Sequence, residues 1–135
     1  MMRALLTCAF VATAACGPLL DDGTYAVQTG KLSDSCASTY VGFTAYWRFA
    51  EQSNGSFMLT DELAGLSVAC AEDDGRLLGS ATMTATGNNC VLTERDDITN
   101  DPEGDRFTGT LTWTVSSSCT SATCVIAWSL DGNKQ

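Results

Sequence analysis

The sequence predicts an all-β protein, and two observations support this prediction. After Gly23, apolar and polar residues alternate through most of the chain, which is the period of two that a half-buried strand requires. The alternating segments are separated by Asn54-Gly55 and Asp74-Gly75, dipeptides that supply the positive φ angles of a tight hairpin turn. The apolar stripe of an amphipathic helix, recurring every three or four positions, is not found in the sequence.

The clearest predicted strand is FTGTLTWTVS, residues 107–116. Phe107, Leu111, Trp113 and Val115 fall on one side, whereas threonine or serine occupies every position on the other side. This pattern predicts one buried face and one solvated face. Weaker alternation predicts further strands at residues 25–29, 45–49, 66–70, 77–83 and 124–130. Glycines at 79 and 109, on the apolar sides of their strands, indicate bends by which the sheet curls.

The connections between these strands predict the topology. Asn54-Gly55 joins residues 44–52 to 56–60, Asp74-Gly75 joins 66–71 to 76–85, and further turns are predicted at 87–89 and 131–132. Strands joined by short hairpins lie beside their sequence neighbours, so we expect an antiparallel up-and-down meander of seven or eight strands. Residues 23–132 are therefore expected to form a single β-domain, a small barrel or strongly curled sheet, with a two-sheet sandwich as the alternative.

The opening Gly23-Thr24-Tyr25 resembles the Gly-x-Trp with which lipocalins begin, with Tyr in place of Trp. The body of the chain is loosely similar to lipocalin and avidin-like barrels, a resemblance of fold alone. In such a barrel the tryptophans have two alternative roles: lining a ligand pocket, or filling a packed core, because an eight-stranded interior is just wide enough for side chains. The candidate pocket residues are Trp47, Trp113 and Trp128.

Charge and composition exclude several functions. Sixteen acidic residues face seven basic ones, for a formal net charge of -9, and a surface of this sign without a basic cluster argues against binding to nucleic acid. The chain contains no histidine, which removes the Ser-His-Asp and Cys-His catalytic arrangements and the helical HExxH zinc site. We therefore expect a protein without catalytic residues, metal or cofactor.

The first 15 residues have the order of a secretory signal peptide. A short positive region containing Arg3 is followed by a largely apolar run, residues 4–15, that ends in small residues. The run is far shorter than the roughly 20 residues that a membrane-spanning helix needs. We expect residues 1–15 to be removed from the mature protein.

The residues at the end of this segment, Thr13-Ala14-Ala15-Cys16, resemble the lipobox of bacterial lipoproteins, in which the cysteine receives a diacylglycerol; Thr13 stands where the family usually has an aliphatic residue. The resemblance implies a lipid on Cys16, a tether over residues 16–22, and the membrane as a partner. Gly17 rather than Asp follows the cysteine, which by resemblance to Gram-negative lipoproteins implies the outer membrane. The alternative is cleavage by an ordinary signal peptidase, which leaves Cys16 a plain thiol on a secreted or periplasmic protein.

Seven cysteines in a short chain indicate an oxidising compartment. Without Cys8 in the removed segment, a lipid on Cys16 leaves five cysteines and one unpaired thiol, whereas an unmodified Cys16 gives an even set of six. Cys119 and Cys124 are close enough in sequence to close the last hairpin as a disulfide. Zinc is disfavoured, because this pair has no second knuckle and no histidine. The disulfide candidates are Cys36, Cys70, Cys90, Cys119 and Cys124.

The densest charge lies in DDITNDPEGD, residues 96–105. Its oxygen-rich side chains suggest calcium, but Pro102 and Thr108 occupy the positions where an EF-hand loop starting at Asp97 needs Gly and Glu. The interpretation favoured from sequence is a long solvated hairpin loop. Because no pair of carboxylates stands out on facing strands, glycoside hydrolysis is not expected.

Two functions remain after these exclusions. The first is a non-enzymatic envelope lipoprotein with a structural or interaction role. The alternative is a small-ligand-binding β-barrel module, anchored or secreted. The sequence alone names neither the ligand nor the protein partner.

Overall fold

The computed structural model describes residues 19–62 and 65–135, and this part of the chain is all-β. Cys16 and the expected signal peptide lie outside the described residues. Eight strands follow one another along the chain: β1 Gly23–Asp34, β2 Thr44–Glu51, β3 Phe57–Asp61, β4 Leu66–Asp73, β5 Arg76–Gly87, β6 Cys90–Pro102, β7 Arg106–Ser117 and β8 Thr123–Lys134.

The strands form a closed antiparallel barrel. Each strand pairs with the next one in sequence, and β1 also pairs with β8, which closes the sheet. The predicted up-and-down meander is confirmed, as a barrel rather than a sandwich. The wall is uneven, because β3 and β4 have 5 and 8 residues whereas β5 to β8 have 12 or 13.

The turn prediction is confirmed at three hairpins. Gly55 and Gly75 adopt positive φ angles of 84° and 79°, and Asn88 and Asn89 adopt 52° and 62° between β5 and β6. These are the left-handed conformations that tight hairpins require. The turn predicted at residues 131–132 is wrong: both positions continue β8, and the inward-facing Gly132 leaves room for the Phe107 ring of the neighbouring strand.

The interpretation of residues 96–105 as a long solvated loop is also wrong. Asp96 to Pro102 belong to β6, and the connection to β7 comprises only residues 103–105. Asp96 and Asn100 are buried together with Ile98, since all three share the inner face of the strand. A strand whose inner face is partly polar lacks the apolar alternation that marks the others.

Aromatic packing fills one end of the barrel, which we call the closed end. Tyr25 lies 5.6 Å from both Phe49 and Phe107, measured between ring centroids, and the latter two rings are 5.4 Å apart. Leu20 is fully buried and pairs with Gly104 in the loop before β7. Residues 19–22, expected from sequence to belong to a tether, thus lie against the barrel.

The Tyr25 hydroxyl anchors this segment. It donates to the Asp21 carbonyl at 2.6 Å and lies 3.1 Å from the Gly104 carbonyl. Burial, together with the nearby acids Asp21, Asp105 and Asp22, raises the pKa of Tyr25 to about 12. The hydroxyl therefore stays protonated, and continues to donate, at neutral and moderately alkaline pH.

The opposite end of the barrel, which we call the mouth, is covered by the loop of residues 35–43 between β1 and β2. The Lys31 ammonium and the Ser38 hydroxyl both donate to the Asp34 carboxylate, at 2.8 and 2.6 Å, and these hydrogen bonds lower the pKa of Asp34 well below its usual range. At the other end of the loop, the Phe43 amide donates to Thr29 Oγ1 at 2.8 Å. The loop is thus fixed to β1 at both of its ends.

Two disulfides cross-link the mouth. Cys36 in the covering loop is bonded to Cys124 on β8, and Cys90 at the start of β6 is bonded to Cys119 in the β7–β8 connection. The sequence-based pairing of Cys119 with Cys124 is therefore wrong. Cys119 lies in the connection of the β7–β8 hairpin and Cys124 at the start of β8, and each cysteine bonds to a segment that lies beside that hairpin. Cys70 is a free, buried thiol.

Candidate ligand-binding site

The inner face of β6 carries the polar side chains of the candidate site. Residues two apart on a strand point to the same side, so Glu94, Asp96, Ile98 and Asn100 follow one another from the mouth inwards. Within the ladders, Asp96 is opposite Ala81 of β5 and Trp113 of β7. One strand thus brings two carboxyl groups and an amide into the interior.

Asp96 is the most perturbed acid of the site. It is only 6 % exposed, and its Oδ1 has no hydrogen-bond partner within the protein. Burial, followed by the charge and hydrogen bond of Glu94 and the charges of Asp97 and Asp61, raises the pKa of Asp96 to about 7. Among the described residues, no lysine or arginine forms an ion pair with Glu94 or Asp96.

A third acid enters the site from the other side of the barrel. Asp61 ends β3, opposite Trp47 of β2, and its Oδ2 accepts a hydrogen bond of 3.1 Å from the indole Nε1 of Trp47. The charge of Asp61 is the smallest of the contributions that raise the pKa of Asp96. Asp61 lies near the mouth because it is the last residue of β3, which runs from the closed end towards the mouth.

Two further buried polar groups have no hydrogen-bond partner within the protein. Both amide atoms of Asn100 and the indole Nε1 of Trp128 are unpaired, although both residues are fully buried. Asn100 fits its position because Gly109 is its partner on β7, where a Cβ would lie 3.0 Å from Asn100 Oδ1. The interior thus presents hydrogen-bond donors and acceptors in addition to apolar surface.

Aromatic side chains line the mouth above these groups. Trp113 and Trp128 contact each other at 5.1 Å between ring centroids, and Phe43 lies 5.5 and 5.1 Å from them. Tyr40 contacts both tryptophans, at 6.2 and 6.5 Å, and is 58 % exposed. The four rings form a continuous path from solvent to the buried Trp128, which we call the aromatic path.

The three tryptophans expected to line a pocket all face the interior, but they divide into two groups. Trp113 and Trp128 belong to the aromatic path. Trp47 stacks instead on Phe107, with ring centroids 6.1 Å apart and planes 6° from parallel, and reaches the site through its hydrogen bond to Asp61. That they contact a ligand stays a prediction.

The hydrophobic pattern of the sequence does not predict Asp96, Asn100 or Asp61 as interior residues. Both Asp96 and Asn100 fall within the segment that the sequence predicts as a solvated loop, because their strand lacks an apolar inner face. One signal was present: hairpin loops usually have two to five residues, and a ten-residue loop before Phe107 exceeds that length. A strand through residues 96–102 removes the excess.

Neither a metal-ligand cluster nor a membrane-spanning helix is found in residues 19–62 and 65–135. Among these residues, no three Cys, Asp or Glu side chains come together in a way that would hold a metal ion. In this part of the chain, no helix has the length and apolar character needed to cross a membrane.

Compared with protein-family models, with curated proteins and with solved structures, the chain matches none of them.

Proposed function

We propose that this protein is a non-enzymatic module that binds a small polar ligand through the mouth of its barrel, and that a lipid on Cys16 anchors it in the bacterial cell envelope. One observation carries the binding role. Asp96 Oδ1, the Asn100 amide and Trp128 Nε1 are buried without a hydrogen-bond partner in the protein.

Unpartnered groups of this kind are costly to a purely structural barrel. Each buried donor or acceptor without a partner destabilises a protein by about 1–3 kcal/mol, and native interiors contain few of them. An apolar side chain at position 100 would remove that cost. A ligand that supplies the missing partners explains why polar residues stand there, and it must carry both donors and acceptors.

The anchoring proposal is supported by the cysteines of the barrel. Four of them form two disulfides, and the fifth, Cys70, is buried inside the barrel wall, where burial raises the pKa of its thiol to about 11. A bridge from Cys16 to Cys70 would require the barrel to open. Cys16 is thus left available for a lipid, as its resemblance to a lipobox cysteine implies, and Gly17 favours the outer membrane.

Native mass spectrometry of the full protein purified from the envelope tests the binding role. We expect a small molecule of reproducible mass to remain bound and to dissociate when the barrel unfolds. The Asn100→Leu variant should lose this molecule, whereas Thr99→Val, on the outer face of the same strand, should retain it. A barrel that brings no molecule with it, and whose interior groups are instead hydrogen-bonded to ordered water in a crystal structure, would refute the proposal.

The same variant has a second readout in the ligand-free protein. Asn100→Leu replaces an unpartnered amide by an apolar group of the same branching, so the free energy of unfolding should rise by about 1–2 kcal/mol. Denaturant titration of both proteins after removal of the bound molecule measures this change. A loss of stability would mean that Asn100 makes hydrogen bonds on which the fold depends.

The intact mass of the mature protein, before and after reduction, tests the anchor. We expect a lipid adduct on Cys16 and one free thiol in the unreduced protein. A mass of polypeptide alone, with six cysteines in three bridges, would contradict lipidation without touching the binding role.

A further inference from the structure

We propose that the ligand is a small organic cation, a protonated amine, held at the mouth with its N–H groups towards the carboxylates of Glu94 and Asp96 and its carbon skeleton against the rings of Trp113 and Trp128. This inference rests on the proposed binding function and specifies its ligand class.

The carboxylates provide the charge complement. Asp96 presents an unpartnered, buried acceptor oxygen, and Glu94 lies next to it on the same inner face. No basic side chain of the described residues pairs with either acid, and the one lysine of β1, Lys31, is engaged by Asp34 at 2.8 Å. A bound ammonium group would supply the positive charge that no side chain of the described residues provides to Glu94 and Asp96.

The aromatic path provides the second half of the recognition. Trp113 is the cross-strand neighbour of Asp96 on the inner face, a relation that places Cβ atoms about 4.5–5.5 Å apart. Ring faces of tryptophan and tyrosine attract cations through their quadrupole, and the attraction strengthens when water is excluded. The exposed Tyr40 and the buried Trp128 extend this surface from solvent to the interior.

Competing ligand classes fit less well. An anion would meet Asp61, Glu94 and Asp96 together, in a chain whose net charge is -9. A metal ion needs converging ligands, and the acids of the described barrel do not converge in that way. A neutral molecule would leave Glu94 and Asp96 without a counter-charge. The donor Trp128 Nε1 further indicates that the amine carries an acceptor, such as a hydroxyl or carbonyl oxygen.

The binding of a cation here is coupled to a proton. The titratable groups around Asp96 are Glu94 on the same strand, Asp61 on β3 and Asp97 on the outer face of β6, whereas its ladder neighbours Ala81 and Trp113 do not titrate. A cation favours the ionised carboxylate, so binding releases the proton of Asp96. Affinity should therefore rise with pH up to about 7.

Isothermal titration with three probes of similar size tests the inference: butylammonium, butan-1-ol and butyrate. We expect butylammonium to bind at least about tenfold more tightly than the other two, as charge pairing with ring contacts predicts. Its affinity should fall by about tenfold between pH 8 and pH 6, since Asp96 becomes protonated in that interval.

Matched variants locate the binding at the mouth. Asp96→Asn should remove the pH dependence and weaken butylammonium binding by about tenfold, whereas Asp101→Asn, at an exposed ion pair on the outer face of the same strand, should leave both unchanged. Tyr40→Ala should weaken binding by about threefold, whereas Tyr46→Ala, exposed on β2, should not. Circular dichroism and the unfolding midpoint verify that each variant is folded.

The outcomes separate this inference from the proposed function. The cation assignment would be overturned if the three probes bound equally or if none of them bound. It would also be overturned if a neutral or anionic molecule were found bound to the purified protein. In the last case the binding function would stand. The absence of any copurified molecule, with ordered water on Asn100, overturns the function itself.

Discussion

The two ends of the barrel are held together by different means. At the closed end, Tyr25, Phe49 and Phe107 pack against one another, and the hydroxyl of Tyr25 has its hydrogen-bond acceptors. The mouth contains the acids of the candidate site and the rings of the aromatic path, and both disulfides lie there. Apolar packing alone thus stabilises one end of this small barrel, whereas the end that carries the buried acids is also cross-linked by both disulfides.

The largest effect expected from this comparison is at the closed end. Phe107→Ala should lower the free energy of unfolding by about 3–5 kcal/mol, the range for a large aromatic removed from a packed core. Trp113→Ala, half-buried at the mouth, should cost clearly less. Denaturant titration of the oxidised proteins gives both values, and equal losses would show that the mouth is as well packed as the closed end.

Removal of the disulfides should weaken the mouth in proportion to the loops that they close. Cys36–Cys124 spans 88 residues and Cys90–Cys119 spans 29. On the chain-entropy model, loss of the longer loop costs about 1 kcal/mol more than loss of the shorter one, out of about 3–5 kcal/mol each. The double variants Cys36→Ser/Cys124→Ser and Cys90→Ser/Cys119→Ser can be compared by denaturant titration. A larger loss of stability in the Cys90→Ser/Cys119→Ser variant would mean that the bridge to the covering loop is the less stabilising of the two disulfides.

A smaller effect distinguishes the buried acid from its exposed neighbour through pH. The pKa of Asp96 is raised to about 7 in the folded protein and is near 4 when unfolded, so the folded state binds the proton more tightly. Its contribution to the free energy of unfolding is therefore full below about pH 4 and declines as pH rises to about 7. Asp96→Asn should abolish this decline and stabilise the ligand-free protein at neutral pH.

Asp97 supplies the control with the opposite sign. Hydrogen bonds from Ser80 and Arg95 lower the pKa of Asp97, so its contribution is present above its ordinary pKa and is lost as the pH falls. Asp97→Asn should therefore reduce stability at neutral pH and leave the decline between pH 4 and 7 in place. Unfolding midpoints at pH 4, 5.5, 7 and 8 test the pair, and identical profiles would mean that Asp96 is solvated.

The neighbouring strands β6 and β7 show how far the fold could be predicted. In β7 every inward position from Phe107 to Val115 is apolar or glycine, so hydrophobic periodicity alone identifies the strand. In β6 the inward positions include Glu94, Asp96 and Asn100, and polar residues on both faces erase that signal. The polar residues of the candidate site cannot be predicted from hydrophobic periodicity, because they interrupt the apolar pattern of a packed core. The same interruption makes them candidates for binding a ligand.

Long-range pairing was the second limit. The number of barrel cysteines allowed two bridges with one thiol left, which is what the structure contains. Which cysteines pair depends on how β1, β6 and the β7–β8 connection meet around the mouth. Sequence spacing favoured neighbours along the chain, whereas barrel closure brings Cys36 next to Cys124.

The insertion of Leu20 into the closed end would limit how a barrel with the proposed lipid on Cys16 stands on a membrane. Three residues separate Cys16 from Leu20, so the two Cα atoms are four steps apart, a reach of roughly 14 Å when fully extended. Strands of 12 residues, tilted as in barrels of this size, span about 30 Å along the barrel axis. A lipid on Cys16 would therefore keep the closed end at the bilayer surface, with too little chain to let the barrel turn over. The opening would face the aqueous side, and its ligand would arrive from the water rather than from the lipid.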